Sequence, residues 1–135
     1  MTYCLAIKTN KGLVFASDSR TNAGVDYVTT YSKMHGFCWP GERICVLLSA
    51  GNLATTQAVV NLINKDLEDE ADFNLRSADH LYEVAHYVGK LNQTEQQKHD
   101  KAIENTKISV EASFIVGGQI AGKSPEIYLV YPQGN

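Results

Sequence analysis

No stretch of this 135-residue sequence approaches the roughly 20 consecutive apolar residues that span a bilayer. The first segment, MTYCLAIKTNKGLVF, is interrupted by Lys8, Asn10 and Lys11, so it lacks the basic region and long apolar core of a signal peptide. No linker, internal repeat or low-complexity segment divides the chain. These absences predict a single domain over residues 1–135 with no membrane partner.

Excess positive charge and paired cysteines are also lacking. The chain has 12 lysines and arginines against 15 acidic residues, a formal charge of −3 and no basic run, so nucleic acid is not an expected partner. Cys4, Cys38 and Cys45 are odd in number and have no paired spacing, which favours a reducing, cytoplasmic compartment.

The histidines lack the spacing and the cysteine partners of a zinc site, which favours ordinary polar roles for them and predicts no metal. They are His35, His80, His86 and His99. The glycine-rich stretch at 117–122 lacks the Lys-Ser/Thr ending of a phosphate-binding loop and is interpreted as a turn. No cofactor is therefore expected.

Apolar residues make up 44% of the chain, enough for a packed core, and they first occur in strand-like patterns. Turns at Gly12 and at Pro40–Glu42 predict two hairpins. The predicted strands of these hairpins are 2–8, 13–17, 34–39 and 43–49. Between the hairpins lie a polar loop over 18–24 and a β-leaning stretch at 27–31.

Two helices are predicted next, at 52–69 and from Ser77 to about residue 98. Ser77 is the predicted N-cap of the second helix, with Asp79 in its first turn. The polar segment 93–106 is interpreted as either the solvated tail of that helix or a mobile loop. The closing strands are predicted at 109–119 and 126–131. Blocks of strands, helices and strands favour α+β layers over alternating βαβ units.

The second residue is a threonine, and an initiator methionine is commonly removed when a small residue follows it. Loss of Met1 would give Thr2 a free α-amino group, whose pKa is ordinarily about 7.7–8. Such an amine can accept the proton of the neighbouring hydroxyl and activate it as a nucleophile. The alternative is an ordinary chain start, because most Met-Thr termini have no catalytic role.

Two charged residues could support Thr2. If the first two strands pair about Gly12, Asp18 at the end of the second lies near Thr2 at the start of the first. A nearby Lys33 would lower the pKa of the α-amine by like-charge repulsion, and Asp18 would hold that lysine in place. The alternatives are a solvated strand-end turn for Asp18 and a surface position for Lys33.

The Ser49-Ala50-Gly51-Asn52 segment lies at a predicted strand-to-helix junction. Glycine lets the main chain approach a ligand closely, and N–H groups at such a junction can stabilise an oxyanion. A plain tight turn explains the same residues equally well.

The order of these elements resembles proteasome β-type subunits. Thr2, the segment 16–21, Lys33 and the segment 49–52 follow one another as in that family, and the segments 114–119 and 126–134 resemble its central strand pair. Other stretches are more similar to one bacterial branch, the ancestral β-subunits known as Anbu. These stretches are MTYC at 1–4, SDSRTNAGVD at 17–26, PGER at 40–43 and AGNLATTQ at 50–57.

The resemblance implies a four-layer αββα sandwich of the N-terminal-nucleophile hydrolase type, assembled as a homo-oligomeric ring or open spiral. It implies hydrolysis of peptide or protein substrates without a cofactor. Thr2 would be the nucleophile and, through its α-amine, the base. Asp18 would orient Lys33, which would tune the pKa of that amine. Gly51 would donate a hydrogen bond to the oxyanion. An extended substrate would bind as a strand beside Thr21, Asn22 and Gly51.

The sequence departs from that family at its end. Members continue into a second half, whose serine-containing turn and aspartate complete the site, whereas this sequence stops before either. The closing turn signal, 132–135, also usually announces another strand. The sequence therefore predicts a domain whose carboxy-terminal portion is missing and whose site is incomplete as it stands.

Two other functions remain open. A non-catalytic ring or scaffold subunit would share the fold, although such subunits carry an extension before the first strand that this chain does not show. An N-terminal-nucleophile amidase acting on small amides would share the site. The sequence favours the peptidase over both.

Overall fold

The computed structural model describes residues 2–22, 28–102 and 109–134. Within these ranges the chain forms an ordered series of strands and two helices. The elements are β1 (Cys4–Thr9), β2 (Gly12–Ser17), β3 (Arg20–Asn22), β4 (Val28–Thr30), β5 (Met34–Trp39), β6 (Arg43–Gly51), α1 (Leu53–Glu68), α2 (Leu81–Ala102), β7 (Ala112–Ile120) and β8 (Glu126–Val130). The α+β class predicted from the sequence is confirmed.

The predicted amino-terminal hairpin is confirmed. β1 and β2 pair antiparallel, with Cys4 opposite Ser17 and Thr9 opposite Gly12. Gly12 has a φ of 140°, a conformation that residues with a side chain rarely adopt and that glycine adopts freely. The loop predicted at 18–24 is only partly correct, because β3 begins at Arg20 and pairs with β4 in a second, short hairpin.

A four-stranded antiparallel sheet follows in the order β5-β6-β7-β8. The turn at Pro40–Glu42 joins β5 to β6 as predicted, with Gly41 at a φ of 77°. β6 is longer than predicted and pairs with β7 as far as Gly51, which lies opposite Ala112. This pairing brings the strand-to-helix junction next to a segment about 60 residues further along the chain.

Helices α1 and α2 cover one face of this sheet and enclose the main core. The core is formed by the fully buried residues Leu47, Val59, Ile63, Leu75, Val84, Val88, Phe114, Val116 and Val130. Asn52 caps α1 by accepting a hydrogen bond from the Thr55 N–H at 3.1 Å. No helix in the described part of the chain is long and apolar enough to cross a membrane.

The predicted start of α2 at Ser77 is wrong, since the helix begins at Leu81. Ser77 belongs instead to a tight loop, where its N–H donates to Asn74 Oδ1 at 3.0 Å. The Glu83 carboxylate accepts from the N–H groups of Asp79 and His80, both at 2.9 Å. A glutamate reaching back to the first free amides therefore replaces the predicted serine cap.

The β1–β2 hairpin covers the opposite face of the sheet. A Cβ placed on Gly117 would come within 2.5 Å of the Phe15 ring, so the absence of a side chain at 117 makes room for Phe15. Neighbouring Val116 faces the helices, as alternation along a strand requires. The described residues thus form three layers, helices, sheet and hairpin; the predicted fourth layer is not among them.

The outer face of the hairpin is apolar and exposed. Leu5, Ile7 and Val14 lie on it with exposed fractions of 37%, 44% and 53%. The facing pair Ile7 and Val14 shows that these side chains share one side of the hairpin.

Candidate active site

Asp18 lies beside the beginning of β1. Because Cys4 faces Ser17 in the hairpin, the next pair outward is Tyr3 and Asp18. The Tyr3 N–H donates to Asp18 Oδ1 at 2.7 Å, and the Asp18 N–H donates to the Tyr3 carbonyl at 3.0 Å. The carboxylate is therefore fixed one residue from Thr2, which is the proximity predicted from the hairpin.

Lys33 is buried, with 6% of its surface exposed, which excludes the surface position left open by the sequence. Its ammonium group donates to Asp18 Oδ2 at 2.8 Å and to the Arg20 carbonyl at 2.7 Å. Its own carbonyl accepts from the Ser49 N–H at 2.8 Å, which connects the start of β5 to the end of β6. A buried ammonium needs such partners, and Asp18 supplies the compensating charge.

The hydrogen bond from Lys33 and that from the Tyr3 N–H hold the pKa of Asp18 below its ordinary value of 3.8. Both favour the ionised carboxylate in the folded protein. Ionised Asp18 therefore stabilises the folded protein at pH values above its ordinary pKa. This stabilisation is lost as the pH falls through the lower pKa of the folded state.

We expect Asp18→Asn to lower the free energy of unfolding by a constant amount above about pH 5 and by progressively less at pH values below about 4. The measurement is urea unfolding of both proteins between pH 2.5 and 7. Asp72→Asn, at an exposed position, is the matched control. A difference between wild type and Asp18→Asn that stays constant down to pH 2.5 would contradict the ion pair.

Gly51 ends β6 in a conformation that other residues rarely adopt, with a φ of 105°. A Cβ at this position would lie 2.4 Å from the Glu111 carbonyl oxygen and 2.9 Å from Ala112 Cα. The following residue, Asn52, donates its N–H to the same Glu111 carbonyl at 2.9 Å. Glycine is thus required here both by backbone conformation and by space.

One cavity of about 100 Å³ brings together four of the predicted residues, Thr2, Thr21, Lys33 and Gly51. It is lined by Thr2, Arg20, Thr21, Tyr31, Lys33, Ser49, Ala50, Gly51, Leu53 and Thr56. Asp18 lies behind this lining and reaches it through Lys33. Asn22 ends β3, next to Thr21; its side chain lies outside the described residues, as does Met1.

Several lining residues were not predicted. Tyr31 and Thr56 are 25 residues apart and reach the cavity only because β5 and β6 return the chain to Thr2. No local pattern in the sequence distinguishes them from other strand and helix residues. Thr21 Oγ1 is buried and has no hydrogen-bond partner among the residues that the structure describes.

The described residues contain no group of three or more side chains that could hold a metal ion. Cys4 lies under the site, where its thiol contacts the Ser49 carbonyl at 3.6 Å. Burial, followed by the charge of Asp18, raises the pKa of Cys4 above its ordinary value. The thiol is therefore kept protonated and acts as a small packing residue.

No protein-family model and no curated protein matches the chain. Solved structures do. The Gly-1 mutant of Anbu from Hyphomicrobium sp. strain MC1 is 43% identical, with a TM-score of 0.85, over 100% of this chain and 54% of that one. Anbu from Yersinia bercovieri is 40% identical, with a TM-score of 0.88, over 98% and 54%. The helical assembly of the Anbu complex from Pseudomonas aeruginosa is 41% identical, with a TM-score of 0.89, over 98% and 54%.

A β1–β2 hairpin that begins two residues after Thr2 and packs on an antiparallel sheet and two helices places the chain in the class of proteasome-type β-subunits. Identity of 40–43% extends over essentially its whole length. Within that class the chain belongs to the Anbu, or ancestral β-subunit, family. It spans about half the length of the relatives that it matches.

Proposed function

We propose that the chain is part of a threonine peptidase subunit in which Thr2 attacks the carbonyl carbon of a peptide bond. The observation that carries this proposal is the cavity shared by Thr2, Lys33 and Gly51. Nucleophile, buried cation and glycine turn come from three separate segments. Neither a solvated turn nor a surface lysine would require that convergence.

The chemistry needs Met1 to be removed first. The Thr2 Oγ then forms a bond to the carbonyl carbon while its proton passes to the α-amine. The amine returns that proton to the leaving nitrogen, the C–N bond breaks, and an ester on Thr2 remains. Water hydrolyses the ester by the same route. The main chain at Gly51 is the proposed donor to the oxyanion.

Lys33 is the proposed tuning group of this reaction. Held by Asp18 and the Arg20 carbonyl, its ammonium has a fixed position at the cavity wall. A fixed positive charge near the α-amine favours the neutral, basic form of that amine. Thr21, which lines the same cavity, and its neighbour in sequence, Asn22, are the proposed contacts for an extended substrate.

The remainder of the subunit is also a proposal. In an αββα sandwich a helical layer would cover the apolar outer face of β1 and β2, including Ile7 and Val14. The helical assembly of the Pseudomonas aeruginosa relative supports a homo-oligomer. We propose a cytoplasmic location, as the scarce, unpaired cysteines suggest.

We expect the mature protein to lack Met1 and to be labelled on Thr2 by a threonine-directed electrophile. Intact mass before labelling and peptide mapping afterwards check both points. The same reaction is run on residues 1–135 fused to the second half of the Hyphomicrobium chain, and faster labelling is expected there. Retention of Met1, or labelling elsewhere in both proteins, would refute the peptidase proposal. Turnover of small amides but not peptides would favour the amidase.

A further inference from the structure

The segment after Gln93, predicted to be a solvated tail or mobile loop, is helical as far as Ala102. Residues 103–106 of that prediction lie outside the described ranges. One face of this helix carries buried and half-buried polar side chains, Asn92, Gln96 and His99, here called the polar stripe. Asn92 is 0% exposed and Gln96 is 8% exposed, so these residues are not in solvent.

Each member of the polar stripe is hydrogen-bonded to a different segment of the chain. Asn92 Nδ2 donates to the Ala112 carbonyl at the start of β7, at 2.8 Å. Gln96 Nε2 donates to the Pro132 carbonyl after β8, at 2.8 Å. His99 Nδ1 lies 3.1 Å from Thr55 Oγ1 in the first turn of α1. The stripe therefore runs from the core to the turn that contains Gly51.

The direction of the His99–Thr55 bond follows from proton counting. A threonine hydroxyl has one hydrogen, and Thr55 Oγ1 lies 2.9 Å from the Val110 carbonyl, its nearest pure acceptor. With that hydrogen committed, the hydroxyl accepts from His99 Nδ1–H. Thr55 is fully buried, so losing the donor would leave part of its oxygen unsatisfied.

Thr55 in turn fixes the junction after Gly51. Its N–H donates to Asn52 Oδ1, and its hydroxyl donates to the Val110 carbonyl. Asn52 Nδ2 donates to the Ser109 carbonyl at 3.0 Å. The segment 109–111 is thus bonded to both ends of this first turn. That segment also contains the Glu111 carbonyl that limits the space at Gly51.

We propose that His99 is a positioning residue for the Gly51 turn, acting through Thr55, and that it thereby sets where the oxyanion donor of the proposed function lies. The inference rests on that function for its catalytic meaning only. The effect of His99 on the stability of the Gly51 turn can be measured even in a protein that has no activity.

The test compares His99→Leu, which removes the donor, with His99→Asn, which keeps an N–H donor where Nδ1 lies. His86→Leu is the matched control, since His86 is exposed on the same helix. Amide hydrogen exchange is followed at Asn52 and Thr56, whose N–H groups bond the Glu111 and Asn52 carbonyls. The Ser49 amide, bonded to the Lys33 carbonyl, is the internal reference.

We expect His99→Leu to accelerate exchange at Asn52 and Thr56 about tenfold relative to Ser49, the size of one lost hydrogen bond. His99→Asn should restore slow exchange, and His86→Leu should leave it unchanged. Equal acceleration at Ser49, no acceleration, or no rescue by asparagine would overturn the inference.

The rate of Thr2 labelling separates this inference from the proposed function. A slower reaction of the bound electrophile in His99→Leu, with unchanged binding, supports both. Altered exchange in His99→Leu together with no labelling of Thr2 in the fused protein supports the positioning role and refutes the peptidase.

Discussion

Replacing Thr2 by alanine is expected to lower labelling and any amide hydrolysis by about 10³-fold or more. The substitution removes the only hydroxyl that has the α-amine of its own residue as a base. The folded structure should be unaffected, because the hairpin contacts of Tyr3 and Asp18 use the main chain and a carboxylate that remain. The measurement is the rate of labelling alongside urea unfolding.

Thr30→Ala is the control for this substitution, because Thr30 is an exposed threonine in β4. We expect it to react at the wild-type rate. Hydrolysis by Thr2→Ala at that same rate would show that the reaction uses another nucleophile or a contaminating enzyme. A loss in both variants would instead indicate that the reagent does not select Thr2.

Gly51→Ala is expected to reduce the free energy of unfolding by about 2–6 kcal/mol. Part of this arises because alanine is strained at a φ of 105°. The rest arises because its Cβ would lie 2.4 Å from the Glu111 carbonyl oxygen, so main chain has to move. That movement would break the Asn52–Glu111 hydrogen bond and displace the proposed oxyanion donor. Urea unfolding measures the loss of stability, and the rate of Thr2 labelling measures the displacement of the proposed donor.

Gly36→Ala is the matched control for Gly51→Ala. Gly36 lies in β5, and a Cβ there would meet nothing within 4 Å. We expect Gly36→Ala to be neutral or to stabilise the protein by up to about 1 kcal/mol, through a less flexible unfolded chain. Equal unfolding free energies for the two variants would show that Gly51 is not confined as the structure indicates.

The sequence predicted those features whose causes are local. The hairpins about Gly12 and Gly41 were predictable because a glycine at positive φ joins two apolar strands. The proximity of Asp18 to the chain start followed directly from the first hairpin. In contrast, the pairing of Gly51 with Ala112 depends on how β6 and β7 meet, and no pattern within either strand contains that information.

Polar residues misled the sequence interpretation twice. Ser77 has the chemistry of an N-cap, but Asn74 engages it in a loop and Glu83 satisfies the first amides instead. Gln96 and His99 lie in the segment interpreted as a solvated tail or mobile loop, because a sequence does not show whether a carbonyl or hydroxyl will face a polar side chain. Burial of a polar residue is decided by its partner, which lies 36 residues away for Gln96 and 44 for His99.

The β6–β7 pairing also has a consequence for the order in which the chain folds. The Lys33–Asp18 pair spans 15 residues and can form as soon as the first hairpins do, whereas the bond from Asn52 to Ser109 closes 57 residues. Closing the longer loop costs more chain entropy and waits for β7 to be made. We therefore expect a growing chain to form the Lys33–Asp18 ion pair before it forms the Gly51 turn. During synthesis there would then be a stage in which Thr2 lies beside the Lys33–Asp18 pair while the proposed oxyanion donor at Gly51 is not yet in position, so that the threonine is inactive.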